Sequence, residues 1–366
     1  MDWNIDENGK LTISGEYSSD STEREYPDWI EYQYRDKIKT AVVTAKNVKS
    51  TYKWFAGCSN LTDLDLSNFD TSQVTDMRSM FSGCSSLTSL DVSKFDTSQV
   101  TGMSGMFFDC SSLTSLNISS FDTSQVTDMG SMFEMCGLIS LDVSNFDTSQ
   151  VTDMIGMFHG CSSLTSLGLN SFNTSQVTDM SGMFDGCSSL TSLELSSFNT
   201  SQVTDMDSMF YGCSNLTSLE LSNFDTSQVT DMSSMFYGCR GLTSLEISGF
   251  ATRCVTDMAG MFDGCSNLTS LDVSNFDTNK VTFMYGMFHG CSGLTSVDLS
   301  NFDTSQVTDM EYIFNGCSSL TQINVPLNVK VDVLLPSGTW KDTAEKTYTC
   351  LPKNVAESFV ITRTEQ

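Results

Sequence analysis

Positive charge is scarce in this sequence. Lys and Arg number 18 against 45 Asp and Glu, for a formal charge of −27. That balance argues against nucleic acid and against anionic membrane, both of which need clusters of Lys and Arg. It suits solubility, cationic partners or divalent metal. No apolar run approaches the roughly 18–20 residues that a membrane helix needs. The start, "MDWNIDENGKLTISG", lacks the basic and apolar regions of a secretion signal, so the expectation is a chain that is intracellular or was separated from its signal. Histidine occurs only twice and C-x-x-C not at all, which disfavours zinc. There is no G-x-S-x-G, no P-loop and no dinucleotide fingerprint, and His159 and His289 lie too many repeats apart to share a site. The expectation is therefore a protein with no catalytic residues, no cofactor and no metal site. Calcium between neighbouring acids is disfavoured because the glycine-rich calcium repeat is absent.

What the chain has is a repeat. Cys58, Cys84, Cys110, Cys136, Cys161 and the series on to Cys317 are 26 residues apart, with one gap of 25 after Cys136. A fixed period of this size marks a solenoid or another repeat array. Ten full rungs run from about Leu61 to Cys317, and an eleventh strand follows at 320–325. Within a rung, "CSSLTSLDVSKF" follows the leucine-rich pattern L-x-x-L-x-L. Leu87, Leu90 and Val92 point inward, while Ser89, Asp91 and Ser93 alternate outward, the signature of a short strand with one wet face. Stacking would make a parallel sheet with about 4.8 Å between strands. The other half of the rung reads as a short helix: Met77, Met80, Phe81 and Cys84 fall at i, i+3, i+4 and i+7. Thr75 stands where an N-cap belongs, Asp76 follows in the first turn, and Gly83 stands near the end. The link "FDTSQV" places Phe69 and Val74 in the core and turns on Asp70, Thr71 and Ser72. One rung cannot bury both its faces, but its neighbours can.

Comparison of the rungs separates three acidic series. Asn replaces Asp twice in the series of Asp70, at Asn173 and Asn199, so a side-chain oxygen matters more there than charge, as in an Asx turn. The series of Asp76 reads as a helix start favoured by the dipole. The strand series is Asp65, Asp91, Asn117, Asp142, Gly168, Glu194, Glu220, Glu246, Asp272 and Asp298. Asp and Glu interchange, so charge matters and length does not. A column of like charges about one strand spacing apart costs stability, which makes Asp65, Asp91, Asp142, Glu194, Glu220, Glu246, Asp272 and Asp298 the candidate ligand-binding residues. The competing reading is that the column keeps the sheet soluble and blocks misassociation. Columns of serine, those of Ser89 and Ser93, flank it. On the opposite side Phe108, Tyr211, Tyr237, His159 and His289 fill a variable slot, where scattered apolar residues are ordinary.

The eleven periodic cysteines read as a buried ladder of free thiols, because equivalent positions on successive rungs stay too far apart to bridge. Cys254 and Cys350 fall outside the ladder. At the N-terminus, 3–15 reads as a β-hairpin turning at Glu7-Asn8-Gly9. The segment 26–48 holds a Pro-started helix or turn and then a strand, and Trp3, Trp29 and Trp54 can seal the first rung. Residues 326–366 alternate like a few strands around "PSGTW". The expected organisation is a β-rich N-terminal cap over 1–57, a solenoid over 58–325 and a β-rich capping module over 326–366.

The runs "W-x-I-x-x-x-G-x-L-T-I-S-G", "Y-R-D-K-I-K-T-A-V-V" and "F-x-G-C-S-N-L-T-x-L-D-L-S", the rungs "FDTSQVTDMSSMFYGC", and the tail "LPSGTW…TYTCLPKN" resemble the BspA-like leucine-rich-repeat surface proteins of bacteria. The resemblance covers essentially the whole chain. It implies a secreted or surface-anchored protein that adheres to host matrix, other microbes or glycans, and it implies no catalytic residues. The fold expected is an α/β solenoid: a right-handed leucine-rich-repeat array with a short parallel sheet on the concave face, short helices on the convex face, and caps at both ends. The function expected is extracellular adhesion or ligand binding through the acidic, serine-rich strand face. A passive stalk that displays another region is the alternative.

Overall fold

A computed structural model describes residues 1–16 and 27–364. The opening residue of the 26–48 segment, Tyr26, and the last two of the C-terminal piece lie outside the described residues. The chain divides into two compact units, Met1–Val177 and Thr178–Gln366. Each is a run of β-solenoid turns, about 12 in the two together. Among the described residues no helix is long and apolar enough to cross a membrane.

In the first unit, β1 (Asp2–Ile5) and β2 (Lys10–Ser14) form the expected hairpin, with Asp6 Oδ1 accepting from the N–H of Asn8 and of Lys10, both at 2.9 Å. A 3-10 turn (Asp28–Ile30) and a one-turn helix, α1 (Tyr32–Arg35), follow Pro27. β3 (Thr40–Val43) then pairs in parallel with β2 and with β4 (Asp63–Asp65), the first repeat strand. Trp3, Trp29, Trp54 and Phe69 pack in series with ring centroids 6.0, 5.6 and 5.3 Å apart, tilted, edge-on and stacked in turn, and the buried Trp29 indole donates to the carbonyl of Trp54. β5 (Ser140–Asp142) and β6 (Ser166–Gly168) pair in parallel later in this unit. In the second unit β7 (Ser296–Asp298) pairs in parallel with β8 (Gln322–Asn324). β11 (Val360–Thr364) runs antiparallel to β8 and to β9 (Thr339–Lys341), which pairs with β10 (Thr347–Tyr348).

The apolar positions read from the repeat are the core. Leu61, Phe69, Val74, Met77, Met80, Phe81 and Cys84, and their equivalents, are buried along both units. Equivalent phenylalanines stack: Phe81 on Phe107 at 5.7 Å, Phe210 on Phe236 at 5.7 Å. The cysteine ladder is free and buried, and nine of its eleven thiols donate to a phenylalanine carbonyl of the preceding turn, as Cys84 does to Phe55 at 3.2 Å. Burial pushes these thiols up, Cys110 and Cys213 to about 12. Cys254 and Cys350 are half-buried and also free.

The expected helices on the face opposite the strands are absent. That segment is a chain of tight turns. Met77, Ser79, Phe81 and Gly83 donate to carbonyls of the next rung (Gly102, Ser104, Met106 and Phe108; 3.0, 2.9, 2.9 and 2.7 Å). The residues between them close three-residue turns, Met80 onto Met77, Ser82 onto Ser79, Cys84 onto Phe81. Alternate N–H groups thus leave the rung, which a helix does not permit. The backbone reverses into the left-handed region at Ser79 (φ 54°) and Gly83 (φ 73°). A helix would keep every φ negative. Thr75 is accordingly no helix cap: its hydroxyl donates to Lys49 O at 3.2 Å in the previous rung. Asp76 meets no helix dipole; its Oδ1 accepts from the N–H of Arg78 at 3.0 Å, an Asx turn.

Threonine supplies a second stitch. The threonine of each "DTS" is buried, and its hydroxyl sits between rungs. Thr97 Oγ1 donates to Asp122 O at 2.8 Å and accepts from Asp122 N–H at 2.7 Å. Thr226 does the same with Ala251, at 3.1 and 2.8 Å.

Candidate functional site

The strand face is where the repeat leaves charge outside. β5 and β6 hold their rungs in register, with Ser140 opposite Ser166 and Asp142 opposite Gly168, and β7 and β8 set Ser296 opposite Gln322 and Asp298 opposite Asn324. The serine and acid columns therefore run straight within each unit, Asp65, Asp91 and Asp142 in the first and Glu194, Glu220, Glu246, Asp272 and Asp298 in the second. All eight are exposed.

The parallel ladder is not continuous. It forms at three places, and at each one of the two column residues is uncharged: Val42 against Asp65, Gly168 against Asp142, Asn324 against Asp298. Where two carboxylates are neighbours, as at Glu220, Glu246 and Asp272, the segments stay extended without strand pairing. The rung of Asn117 is unpaired as well, so charge alone does not decide the pairing, and the inter-turn bonds of the opposite face hold these rungs together.

The column also divides by side-chain length. Asp65, Asp91, Asp142, Asp272 and Asp298 each accept the N–H of the residue two further on (Ser67, Ser93, Ser144, Ser274 and Ser300) at 2.9–3.0 Å. The serine hydroxyl and amide hold Asp91, Asp142 and Asp272 below the ordinary carboxylate value. These aspartates are turn-formers as well as charges. Glu194, Glu220 and Glu246 are one methylene longer, and among the described residues their carboxylates have no hydrogen bond or ion pair. Length matters in this column, contrary to the reading that charge alone was kept. Glu220, Glu246, Asp272 and Asp298 line a shallow groove of about 420 Å³ together with Ser218, Ser244, Ser270 and Ser296.

The variable slot on the turn face is paired rather than open. Tyr211 stacks on Tyr237 at 4.4 Å, and burial with the neighbouring phenol raises the Tyr211 pKa. His289 Nδ1 lies 2.8 Å from Asp263 and His159 Nδ1 3.2 Å from Glu134. Phe108 is half-buried. What the sequence reading missed is a group of exposed apolar residues in the second unit: Phe283, Tyr285, Tyr312 and Leu334. The signal was present as departures from the repeat, Phe283 in an aspartate position and Tyr312 in a position of glycine or serine.

Stacked leucine-rich rungs, with a wet strand face and a turn face closed by inter-rung bonds, define a leucine-rich-repeat β-solenoid. The chain belongs to the family described as "Mycoplasma protein of unknown function, DUF285", which matches residues 47–167, 156–245 and 242–331. No curated protein matches significantly. Among solved structures, the chain is similar to a leucine-rich repeat protein from Bacteroides ovatus ATCC 8483 (21% identity, 89% of this chain and 87% of that one, TM-score 0.43). It is also similar to a leucine-rich repeat protein from Eubacterium ventriosum ATCC 27560 (18%, 78% and 91%, 0.36). A third is a leucine rich cell surface protein from Faecalibacterium prausnitzii A2-165 (16%, 88% and 92%, 0.35).

Proposed function

We propose that this protein is a non-enzymatic bacterial surface protein that binds an extended, cationic ligand on its strand face. The observation that carries the reading is the set of unpartnered carboxylates of Glu194, Glu220 and Glu246, two of them in the serine-lined groove. A charge that neither folds the chain nor pairs within it is available to a partner. A row of cationic groups would relieve the repulsion along the column. The resemblance of the rungs to BspA-like surface proteins supports a place outside the cell, with host matrix or cell-surface protein, glycan or another microbial surface as partner. A right-handed winding, and capping by 1–57 and 326–366, belong to the same reading.

The second reading is a passive spacer, favoured by the aspartates of the column, whose Asx bonds give them structural work. Binding of the purified chain to matrix proteins, glycans and bacterial surfaces, beside a Glu194→Gln/Glu220→Gln/Glu246→Gln variant, separates the two. Binding that weakens with salt and is lost in the variant supports the site. Binding that survives in the variant removes the glutamates from it. Failure of both proteins to bind anything favours the spacer.

A further inference from the structure

Four N–H groups of a turn-face segment donate to the following turn, while the threonine N–H before them, as in Thr308 to Thr282 O, donates to the preceding one. Met284, Gly286, Phe288 and Gly290 reach the carbonyls of Asp309, Glu311, Ile313 and Asn315 at 2.9, 2.9, 3.1 and 2.7 Å. The turn that holds those carbonyls is the last in the series. Among the described residues, the N–H groups of Tyr312, Phe314 and Gly316 have no acceptor. Phe314 is fully buried, and a buried N–H left unpaired is rare and costs about as much as a lost hydrogen bond. These three residues line a cavity of about 730 Å³, with Leu334, Pro336 and Arg363 also in its wall.

Tyr312 is a second and independent sign. Its position has a positive φ in every turn, and the residue there is glycine or serine from Ser79 to Gly286. Tyrosine at φ 59° is strained, and strain of this kind gathers at binding sites. The side chain is not repaid by burial: it is 53% exposed, and Leu334 is 75% exposed.

Two of the three charges in the wall are already engaged, and Glu311 is exposed with its carboxylate free among the described residues. Arg363 donates to Ser318 O at 2.7 Å and Ser337 O at 3.4 Å, and Asp332 pairs with Lys353 at 2.9 Å. The wall holds charges of both signs, Glu311 and Asp332 against Arg363, so an occupant with a net charge would meet one of its own sign, and a wholly apolar one would leave the three N–H groups unpaired. Earlier turns of this unit, such as that of Gly286 and Phe288, donate the same N–H groups to carbonyls on alternate residues of a neighbouring stretch of polypeptide. We propose that this cavity binds an uncharged, apolar peptide segment, whose alternate carbonyls accept from Tyr312, Phe314 and Gly316 while its side chains rest on Tyr312 and Leu334. This is main-chain recognition of the kind seen at open strand edges, on the turn face and apart from the acidic column.

The test uses the full chain and a library of acetylated octapeptides without charged residues. Amide exchange is followed by NMR at Tyr312, Phe314 and Gly316. The expected result is a selected peptide that slows exchange at all three by about tenfold or more. A version of that peptide with esters in place of its amides, whose carbonyls are weaker acceptors, should bind about tenfold more weakly. Tyr312→Gly, which restores the common residue and keeps the N–H, should lose binding with the fold intact. The proposal is overturned if no peptide binds, or if one binds without protecting these amides. It is overturned equally if neutral oligosaccharides protect them instead, or if they are already protected in the free chain through self-association.

Discussion

The buried threonine ladder allows a sharp test of what joins one rung to the next. Thr226→Val keeps the shape of the side chain and removes only the hydroxyl. In the parent that hydroxyl donates to Ala251 O and accepts from Ala251 N–H. Valine offers neither partner, so both backbone groups of Ala251 lose their bonds at a half-buried position. Each such orphan costs about 1–3 kcal/mol, and a partial approach of water brings the expected loss to about 2–4 kcal/mol. Thr226→Ser keeps the hydroxyl and loses a methyl group, which costs about 1 kcal/mol. The assay is urea unfolding followed by circular dichroism. The midpoint should fall much further for valine than for serine at an unchanged slope. Equal midpoints for valine and serine, or a valine variant as stable as the parent, would refute the argument that the hydroxyl and not the methyl joins the rungs.

Three further outcomes are expected. With a thiol reagent at neutral pH, only Cys254 and Cys350 should react quickly, and the eleven ladder thiols only on unfolding; fast reaction of a third thiol in the native protein would contradict the buried ladder. Stability should be greatest on the acid side of neutrality. Asp205, Asp257 and Asp263 are raised by burial, so their contribution is present at low pH and is lost as pH rises through their folded values. Asp70, Asp122, Asp225 and Asp272 are lowered by serine hydroxyls and amides, and theirs is lost as pH falls below the ordinary value of 3.8; a melting temperature that rose steadily from pH 4 to pH 8 would contradict the assignment. Tyr312→Gly should raise stability by about 0.5–1 kcal/mol, the relief of left-handed strain less the added chain entropy, and a lower urea midpoint would deny the strain.

Much of the fold was legible because burial repeats. Leu61, Val74, Phe81 and Cys84 are buried where the period places them, and the tryptophans pack against one another at the first rung. The helix was misread because Met77, Met80, Phe81 and Cys84 have a spacing that a helix and a chain of three-residue turns share. The discriminating residues were Ser79 and Gly83, four apart, both left-handed and both poor helix formers. The role of Thr71 was legible only in part: its recurrence without substitution, beside an aspartate that changes to asparagine or alanine, marked a hydroxyl with a fixed partner. The acidic column was legible as a column, but its split into turn-forming aspartates and free glutamates rests on one methylene of reach. The cavity beside Tyr312 was hidden because the residues that line it are separate in sequence, and only the departures from the repeat announced it.

The prevailing direction of the turn-face bonds has an electrical consequence. In each unit most of the turn-face peptide groups that join successive turns point their N–H bonds toward the later turn, as at Met77, Ser79, Phe81 and Gly83 in one and Met206, Ser208, Phe210 and Gly212 in the other, against one threonine N–H per turn that points back. Aligned peptide dipoles add, as they do along a helix. Each unit is thus polarised along its stacking direction, with the positive pole at its later turns. A protein whose side chains are overwhelmingly negative carries in its backbone a field that the side chains do not set, and that substitution of surface residues would leave in place.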